Sequence, residues 1–124
     1  MKRLLLPALL LLAGFAAEAA SAATIRIVAP WRASQYEGAI VAVRGRAEVR
    51  RDTNLMGTEV RLTDADGKIS FIGFIPKLNE YSFPDVESLN GREVVMYGVI
   101  EMYYATPATQ LIFRNQLQPW PPRS

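Results

Sequence analysis

The sequence contains neither histidine nor cysteine. Without histidine it lacks the commonest general base near neutral pH, and without cysteine it lacks a thiol nucleophile and most zinc sites. No disulfide can stabilise its fold either. A serine nucleophile would need a lysine as its base, and neither Lys68 nor Lys77 has a recognisable spacing to Ser70 or Ser82. We therefore expect a protein that is not an enzyme and that has no cofactor.

One short acidic segment is the candidate for a metal site. Residues 64–67 read Asp-Ala-Asp-Gly, which is how a calcium-binding loop begins. No bidentate glutamate follows at the offset that such a loop requires. Because Asp-Gly is also a preferred hairpin turn, we interpret residues 64–67 as a turn and expect no metal site.

The excess of charge of one sign is small. The chain has 14 lysines and arginines and 12 acidic residues, which gives a formal net charge of +2. Removal of an N-terminal leader would take away Lys2, Arg3 and Glu18 and lower that charge by one. Binding to duplex DNA rests on many phosphate contacts, so this balance argues against a protein that binds duplex DNA mainly through its charge.

The N-terminus has the layout of a secretory signal peptide. Lys2 and Arg3 precede an apolar run over residues 4–17, and Ala20-Ser21-Ala22 forms a small-residue cleavage site. A membrane anchor would need about 20 apolar residues, and this run is shorter. We therefore expect a leader over residues 1–22 and an exported product, periplasmic or secreted, with no membrane span after cleavage.

Residues 23–124 are about one hundred residues long, which is enough for one domain with its own core. Two segments of this domain share one spacing of glycines and apolar residues. The first consists of Gly38, Val41, Val43, Gly45 and Ala47, and the second of Gly91, Val94, Met96, Gly98 and Ile100. Apolar residues at every second position indicate a strand with one buried face, and a glycine inside a strand marks a bulge or a barrel corner. The pattern predicts a small and strongly curved barrel.

Five strands and one short helix follow from the alternation of apolar residues and the turn signals. The strands are predicted over residues 39–50, 58–63, 68–75, 92–104 and 109–117, and the helix over residues 85–89. A lead-in strand over residues 24–28 and a helical turn over residues 32–37 precede them, and Thr106 and Pro107 are predicted to form the last turn. The third strand is apolar on both faces, with Ile69, Phe71 and Ile75 on one and Ile72 and Phe74 on the other.

Three arginines and two aromatic residues are the candidate ligand-binding residues. Arg44 and Arg46 share the outward face of the first strand, and Arg61 of the second strand is expected beside them. Arginine suits phosphates, carboxylates and aromatic rings, whereas the alternative is a solvated surface with Glu48, Glu59 and Glu93 as neighbours. Phe74 and Tyr97 lie opposite in phase to the core residues of their strands. They could form a stacking platform, or other parts of the chain could cover them.

The order of three strands, a short helix and two further strands matches the OB-fold. The segments that carry the resemblance are 36–45, 62–64, 67–69, 89–100 and 116–117, together with Tyr103, Pro107 and Leu111. Through them the chain resembles the nucleic-acid-binding-type OB-fold domains, which include tRNA-anticodon-binding modules. Its length and leader are also similar to those of small exported bacterial OB-fold proteins.

The resemblance implies an all-β fold, a five-stranded Greek-key barrel over about residues 38–118 with a short helix between strands three and four. A proline-rich tail over residues 119–124 follows. It also implies an exported, non-catalytic binding module. Its ligand would be a single-stranded nucleic acid or another anionic polymer, held by Arg44, Arg46 and Arg61 and stacked on Phe74 and Tyr97. The alternatives are an envelope protein-interaction or structural domain and an oligosaccharide-binding module.

Overall fold

The computed structural model describes residues 25–53 and 56–121. The predicted leader lies outside the described residues, as do Thr24 of the predicted lead-in strand and residues 122–124 of the predicted tail. Within the described ranges, no helix has both the length and the apolar character that crossing a membrane requires.

Strands make up most of the described chain, and they form one mixed sheet. They are β1 (Ile27–Val28), β2 (Ile40–Thr53), β3 (Gly57–Thr63), β4 (Ile69–Pro76), β5 (Glu93–Val99), β6 (Glu101–Tyr103), β7 (Thr106–Gln110) and β8 (Leu117–Pro119). The hydrogen-bonded order is β6-β7-β4-β3-β2-β5-β8, and β1 pairs with β2 in parallel. The prediction of an all-β fold is confirmed.

Short 3₁₀ helices occupy the connections between strands. They span Pro30–Tyr36, Lys77–Ser82, Val86–Leu89 and Arg114–Gln116. The first overlaps the helical turn predicted over residues 32–37, and the third lies within the helix predicted over residues 85–89. The second and fourth were not predicted, because neither segment has a clear apolar period in the sequence.

The long strand β2 belongs to both halves of the sheet. Its first part pairs with β5 and its second part with β3, both antiparallel. The partners change at Arg46, which pairs with Glu93 on one side and with Thr63 on the other. The neighbouring Gly45 is closely packed, since a β-carbon there would lie 2.9 Å from Cγ of Pro30. One strand with a glycine at its middle therefore serves both halves, as the glycine spacing predicts.

The predicted five-stranded barrel is not confirmed, because the main-chain ladders of the described residues give an open sheet of eight strands. The predicted fourth strand, residues 92–104, divides at Ile100 into β5 and β6. The carbonyl of Ile100 accepts a hydrogen bond from the N–H of Gly38 (2.8 Å), and its N–H donates to the carbonyl of Ala39 (3.0 Å). Beyond Ile100 the chain leaves β2, and β6 pairs with β7 instead.

The predicted fifth strand, residues 109–117, has the wrong bounds. β7 already begins at Thr106, and residues 104–105 rather than Thr106 and Pro107 form the preceding turn, with Tyr104 at a φ of 57°. After Gln110 the chain enters a 3₁₀ turn and then β8. Pro119 lies in β8 instead of in the predicted tail, which is possible because an edge strand does not need the N–H that proline lacks.

The core consists of the inward-facing residues of both halves. Its fully or almost fully buried members include Val41, Val43, Ala47, Val60, Leu62, Phe71, Ile75, Val94, Met96, Ile100, Leu111 and Leu117. Ile69 was predicted to share one face of its strand with Phe71 and Ile75, but it is 43% exposed whereas they are buried. The register of β3 and β4 shifts here, since Leu62 lies opposite Phe71 and Thr63 opposite Ile69. Ser70 is therefore an extra residue, and this bulge turns Ile69 outward.

Asp64 holds the turn between β3 and β4 through its carboxylate. Oδ1 accepts hydrogen bonds from the N–H groups of Asp66 (2.9 Å) and Lys68 (3.2 Å), and Oδ2 accepts one from the hydroxyl of Ser70 (3.2 Å). Desolvation opposes ionisation, but these hydrogen bonds and the charge of Lys68 outweigh it, so the pKa of Asp64 lies below its ordinary value. Residues 64–67 therefore form the predicted hairpin turn.

The lowered pKa of Asp64 makes a testable contribution to stability. A carboxyl with a lowered pKa stabilises the fold at every pH above its unfolded-state pKa, and this stabilisation is lost as the pH falls through the folded-state pKa. We expect Asp64→Asn to have a lower Tm than the wild type at pH 7 and a smaller further loss below about pH 4. Thermal unfolding followed by circular dichroism between pH 3 and pH 7 measures both effects.

The matched control is Asp66→Asn, because the carboxylate of Asp66 takes no part in these hydrogen bonds. Its Tm should follow that of the wild type across the pH range. If Asp64→Asn showed the same pH dependence as the wild type, the assigned role of the carboxylate would be wrong.

Candidate functional site

The outward face of β4 forms the floor of a groove of about 240 Å³, called here the β4 groove. Ile72 and Phe74 point outward between the buried residues Phe71, Gly73 and Ile75, so β4 is apolar on both faces, as predicted. The walls come from β3, β6 and β7 and from the loop before β3. They consist of Met56, Glu59, Glu101, Tyr103, Ala108, Thr109 and Gln110.

Sheet register explains why these side chains meet. β7 runs parallel to β4, with Ala108 opposite Ile72 and Gln110 opposite Phe74. On the other side of β4, Glu59 of β3 lies opposite Phe74. Side chains on one face of paired strands stand side by side, so the alternation within β4 is enough to bring the floor and walls together.

Exposed aromatic and apolar side chains form the rim of the β4 groove. Met56 is 64% exposed and Tyr103 is 57% exposed. The ring of Tyr103 contacts that of Tyr104 edge to face, with 4.8 Å between centroids and an interplanar angle of 74°. Large exposed apolar side chains at the edge of a concave surface are typical of contact sites for other molecules.

The charged side chains that line the groove are two glutamates, Glu59 and Glu101. Glu59 forms an ion pair with Arg61, with 2.7 Å between Oε1 and Nε, and the two side chains are 14% and 22% exposed. Within the part of the chain that the structure describes, the Glu101 carboxylate has no ion pair or hydrogen bond. The groove lining contains no lysine or arginine. Because Arg61 neutralises Glu59, the uncompensated charge of the lining is that of Glu101, which favours a cationic or neutral ligand over an anionic one.

The three predicted arginines lie on the outward face of β2 and β3, and each guanidinium is engaged. Arg44 pairs with Glu93, with 3.0 Å between Nε and Oε2. Arg46 donates to the carbonyl of Gly91 (2.5 Å). Arg61 pairs with Glu59 and lies opposite Glu48, not beside Arg46. This arrangement resembles the alternative given in the sequence analysis, in which the arginines belong to a surface of mixed charge and have glutamates as neighbours.

Phe74 and Tyr97 lie in separate concavities. Phe74 lines the β4 groove, whereas Tyr97 lies opposite Ala42 in a second concavity of about 360 Å³, called here the β8 concavity. The structure does not bring the two rings together as one platform. The ring that shares the groove with Phe74 is Tyr103, which the sequence could not assign because its position depends on the break at Ile100.

Within the described ranges, no group of three or more acidic side chains is placed to hold a metal ion. Ser70, one of the serines considered as a nucleophile, donates its hydroxyl proton to Asp64 in the hairpin turn.

Comparison with solved structures identifies the fold. The chain is similar to OBody AM1L10 bound to hen egg-white lysozyme, with a TM-score of 0.52, 17% identity and coverage of 72% of this chain and 85% of that one. OBody AM3L15, also bound to hen egg-white lysozyme, gives a TM-score of 0.52, 15% identity and coverage of 72% and 87%. OBodies are OB-fold scaffolds. The domain is OB-fold-like.

A third similar chain is a candidate nucleic acid-binding lipoprotein from Klebsiella pneumoniae, with a TM-score of 0.49, 21% identity and coverage of 73% of this chain and 92% of that one. No protein-family profile and no curated protein matches the sequence.

The OB-fold-like topology gives the β4 groove a specific place. In OB-folds, ligands bind on the face of strands two and three, between the loop that joins strands one and two and the loop that joins strands four and five. Here these elements are β3 and β4, the loop before Gly57 and the hairpin at Tyr104. The β4 groove lies between them, and the paired arginines Arg44 and Arg46 lie outside it.

Proposed function

We propose that the domain is a non-catalytic binding module and that the β4 groove is its ligand site. The observation that carries the proposal is the position of this apolar groove on the face where OB-folds bind ligands. Its volume of about 240 Å³ is below the usual range for pockets that enclose a small molecule. A groove of this size suits a few side chains of an extended chain that crosses the surface.

The ligand that best fits the groove is a polypeptide segment with apolar side chains and a basic residue. Ile72, Phe74 and Tyr103 offer the apolar contacts. The unpaired carboxylate of Glu101 at the wall offers a partner to a lysine or arginine. An anionic polymer in the groove would instead bring phosphates next to the unpaired carboxylate of Glu101, where like charges repel. This assigns the domain to protein interaction, one of the alternatives from the sequence.

We also propose that β2, β3, β4, the β5–β6 segment and β7 act as the five-stranded barrel that the OB-fold resemblance implies. Side chains support closure between β5 and β7, where no main-chain ladder runs among the described residues. Thr109 Oγ1 donates to the carbonyl of Val99 (2.8 Å). The Gln116 amide donates to the carbonyls of Tyr97 (2.9 Å) and Gln110 (3.0 Å).

Export to the periplasm or beyond remains part of the proposal. It rests on the leader layout of residues 1–22, with its basic start, apolar run and small-residue cleavage site. A partner polypeptide would then be a protein of the bacterial envelope.

The binding proposal is tested with protein that is purified after expression of the full chain. The probes are a fluorescein-labelled (Lys-Leu-Gly)₄ peptide and a fluorescein-labelled dT15 oligonucleotide. Binding of each is measured by fluorescence anisotropy at low and at physiological salt. We expect the peptide to bind more tightly than dT15. Phe74→Ala should weaken its binding by about tenfold, which is the loss of one aromatic contact. Glu101→Gln should weaken it mainly at low salt.

Trp31→Ala is the matched control, because Trp31 is an exposed aromatic residue outside the groove. Tighter binding of dT15 that weakens steeply with salt would overturn the polypeptide proposal and favour the anionic polymer predicted from the sequence. Peptide binding that Phe74→Ala leaves unchanged would remove the β4 groove as the site.

A further inference from the structure

A second concave surface lies on the outward face of β1, β2, β5 and β8, away from the β4 groove. It is the β8 concavity, whose floor is apolar. Ile27 of β1 lies beside Ala42 of β2, and Ala42 lies beside Tyr97 of β5. Val95 continues this face and lies opposite Gln118 of β8. The concavity measures about 360 Å³, which is within the range of small-ligand pockets, about 300–1,000 Å³.

Trp120 forms one wall of the concavity and is held in place from two directions. Its backbone N–H donates to the carbonyl of Glu93 (3.0 Å). The guanidinium carbon of Arg44 lies 4.7 Å from the centroid of its ring, and Arg44 is in turn paired with Glu93. Arg44 covers one face of the ring, and a ring fixed in this way loses little further side-chain freedom when a ligand packs on the other face.

A second wall of the concavity comes from Asn115 and Gln118, and its backbone is held by a side-chain hydrogen bond. Asn115 lies in the 3₁₀ turn Arg114–Gln116, and the amide of Gln116 attaches this turn to the carbonyl of Tyr97 (2.9 Å). Asn115 and Gln118 line the concavity together with Tyr97, and the hydrogen bond of Gln116 fixes the backbone of the turn that carries Asn115. Gln118 donates one hydrogen bond to the carbonyl of Asn115 (3.2 Å).

The polar atoms around this apolar floor have unused hydrogen-bonding capacity. Within the described part of the chain, the Tyr97 hydroxyl, the Asn115 amide and the Trp120 indole N–H have no hydrogen-bond partner. No aspartate, glutamate, lysine or arginine lines the concavity. Two aromatic rings, two amides and no formal charge complement a ligand that has apolar ring faces, many hydroxyl groups and no charge of its own.

We propose that the β8 concavity binds a neutral saccharide. The faces of sugar rings pack on Trp120 and Tyr97, and the sugar hydroxyls pair with the amides of Asn115 and Gln118. This site is distinct from the β4 groove, so it gives the domain a second ligand of a different class. A polypeptide in the groove and a saccharide in the concavity could be held at the same time.

Tryptophan fluorescence gives a direct test, because the chain has two tryptophans. In a Trp31→Phe background, Trp120 is the sole reporter. The probes are cellotetraose, maltotetraose and chitotetraose, titrated to about 20 mM, with dT15 as the charged comparison. We expect saturable quenching or a spectral shift with at least one sugar, unchanged between low and high salt. Asn115→Ala and Gln118→Ala should each weaken binding about three- to tenfold, the loss of one hydrogen bond.

Phe74→Ala in the same background is the control, and its sugar affinity should equal that of the parent. Absence of a saturable response to all three sugars would overturn the proposal, and so would unchanged affinity in both Asn115→Ala and Gln118→Ala. A response to dT15 that falls with salt would assign the concavity to an anionic ligand instead. None of these results bears on the β4 groove, which the peptide titration tests separately.

Discussion

Replacing Gly57 by alanine is expected to lower the free energy of unfolding by about 3 kcal/mol, a large part of the stability of a small domain. Gly57 opens β3 at a φ of 150°, a conformation that residues with a side chain rarely adopt. A β-carbon at this position would overlap the carbonyl oxygen of Ile75 and lie 3.0 Å from the backbone nitrogen of Lys77. Both obstacles are main-chain atoms, so no side chain can move aside to relieve the overlap.

The substitution would also disturb the hydrogen bonds at the start of the β3–β4 pairing. Gly57 pairs with Pro76, and the N–H of Lys77 donates to the carbonyl of Met56 (3.0 Å) next to it. To admit a methyl group, β3 must move away from β4 and lose this hydrogen bond. Met56 also belongs to the rim of the β4 groove. We therefore expect peptide binding to weaken together with stability, because Met56 would shift with β3.

Thermal or urea unfolding measures the effect, and Gly67→Ala is its matched control. Gly67 also has a positive φ, 82°, but a β-carbon there would have no atom within 4 Å. Its replacement by alanine should therefore lower the free energy of unfolding by only about 1 kcal/mol, because alanine disfavours a positive φ. Equal losses for Gly57→Ala and Gly67→Ala would show that the main-chain overlap at Gly57 does not exist in solution.

Gln116 is the second position where a large effect is expected, because its amide serves four main-chain groups. Nε2 donates to the carbonyls of Tyr97 and Gln110, and Oε1 accepts from the N–H groups of Ile112 (2.8 Å) and Phe113 (2.9 Å). Gln116→Leu removes all four hydrogen bonds and keeps a similar volume. We expect it to lower the free energy of unfolding by about 2–4 kcal/mol, as measured by urea unfolding.

The Gln116→Glu variant separates hydrogen bonding from packing. An ionised carboxylate would keep the two acceptor contacts, but its second oxygen would face the two carbonyl oxygens to which the amide donates. The charged form is therefore disfavoured in the fold, and the pKa of the introduced carboxyl should be raised. The penalty is present above the folded-state pKa and disappears as the pH falls below the unfolded-state pKa, so this variant should become more stable relative to the wild type in acid.

Gln118→Leu is the control for both Gln116 variants. Gln118 is also partly buried and lies in the adjacent strand, but it makes one hydrogen bond, to the carbonyl of Asn115. A loss below about 1 kcal/mol is expected. If Gln116→Leu were no worse than Gln118→Leu, closure between β5 and β7 would not depend on this amide.

The sequence predicts correctly what depends on local alternation. The prediction for β2 is confirmed: Val41, Val43 and Ala47 point inward, and Arg44 and Arg46 point outward. It succeeds because successive side chains of a strand point to opposite faces. The apolar outer face of β4 is confirmed for the same reason. The same alternation correctly placed Phe74 outward, and Phe74 lines the β4 groove.

The errors arise where a distant contact decides the local structure. Ile100 continues the apolar period of β5, but its backbone pairs with residues near Gly38, more than sixty positions earlier in the chain. Ile69 keeps the right spacing for the core, but the bulge at Ser70 reverses its side. In the sequence Gln116 looks like any polar turn residue. Its role becomes visible only in the fold, where its amide bonds to carbonyls of two other strands. No pattern within a short window reports such contacts.

The partners of β2 also limit how early the fold can be completed. β2 is made by residue 53, but the strand that covers its first half, β5, is not complete until Val99. β5 in turn receives β8 only at residues 117–119, and the amide that links β5 to the end of β7 is at Gln116. Such non-local pairing makes folding slow compared with helical proteins of this size. A chain emerging from the ribosome would therefore stay unfolded until it is almost fully synthesised, and the proposed export through a secretion channel would require such an unfolded chain.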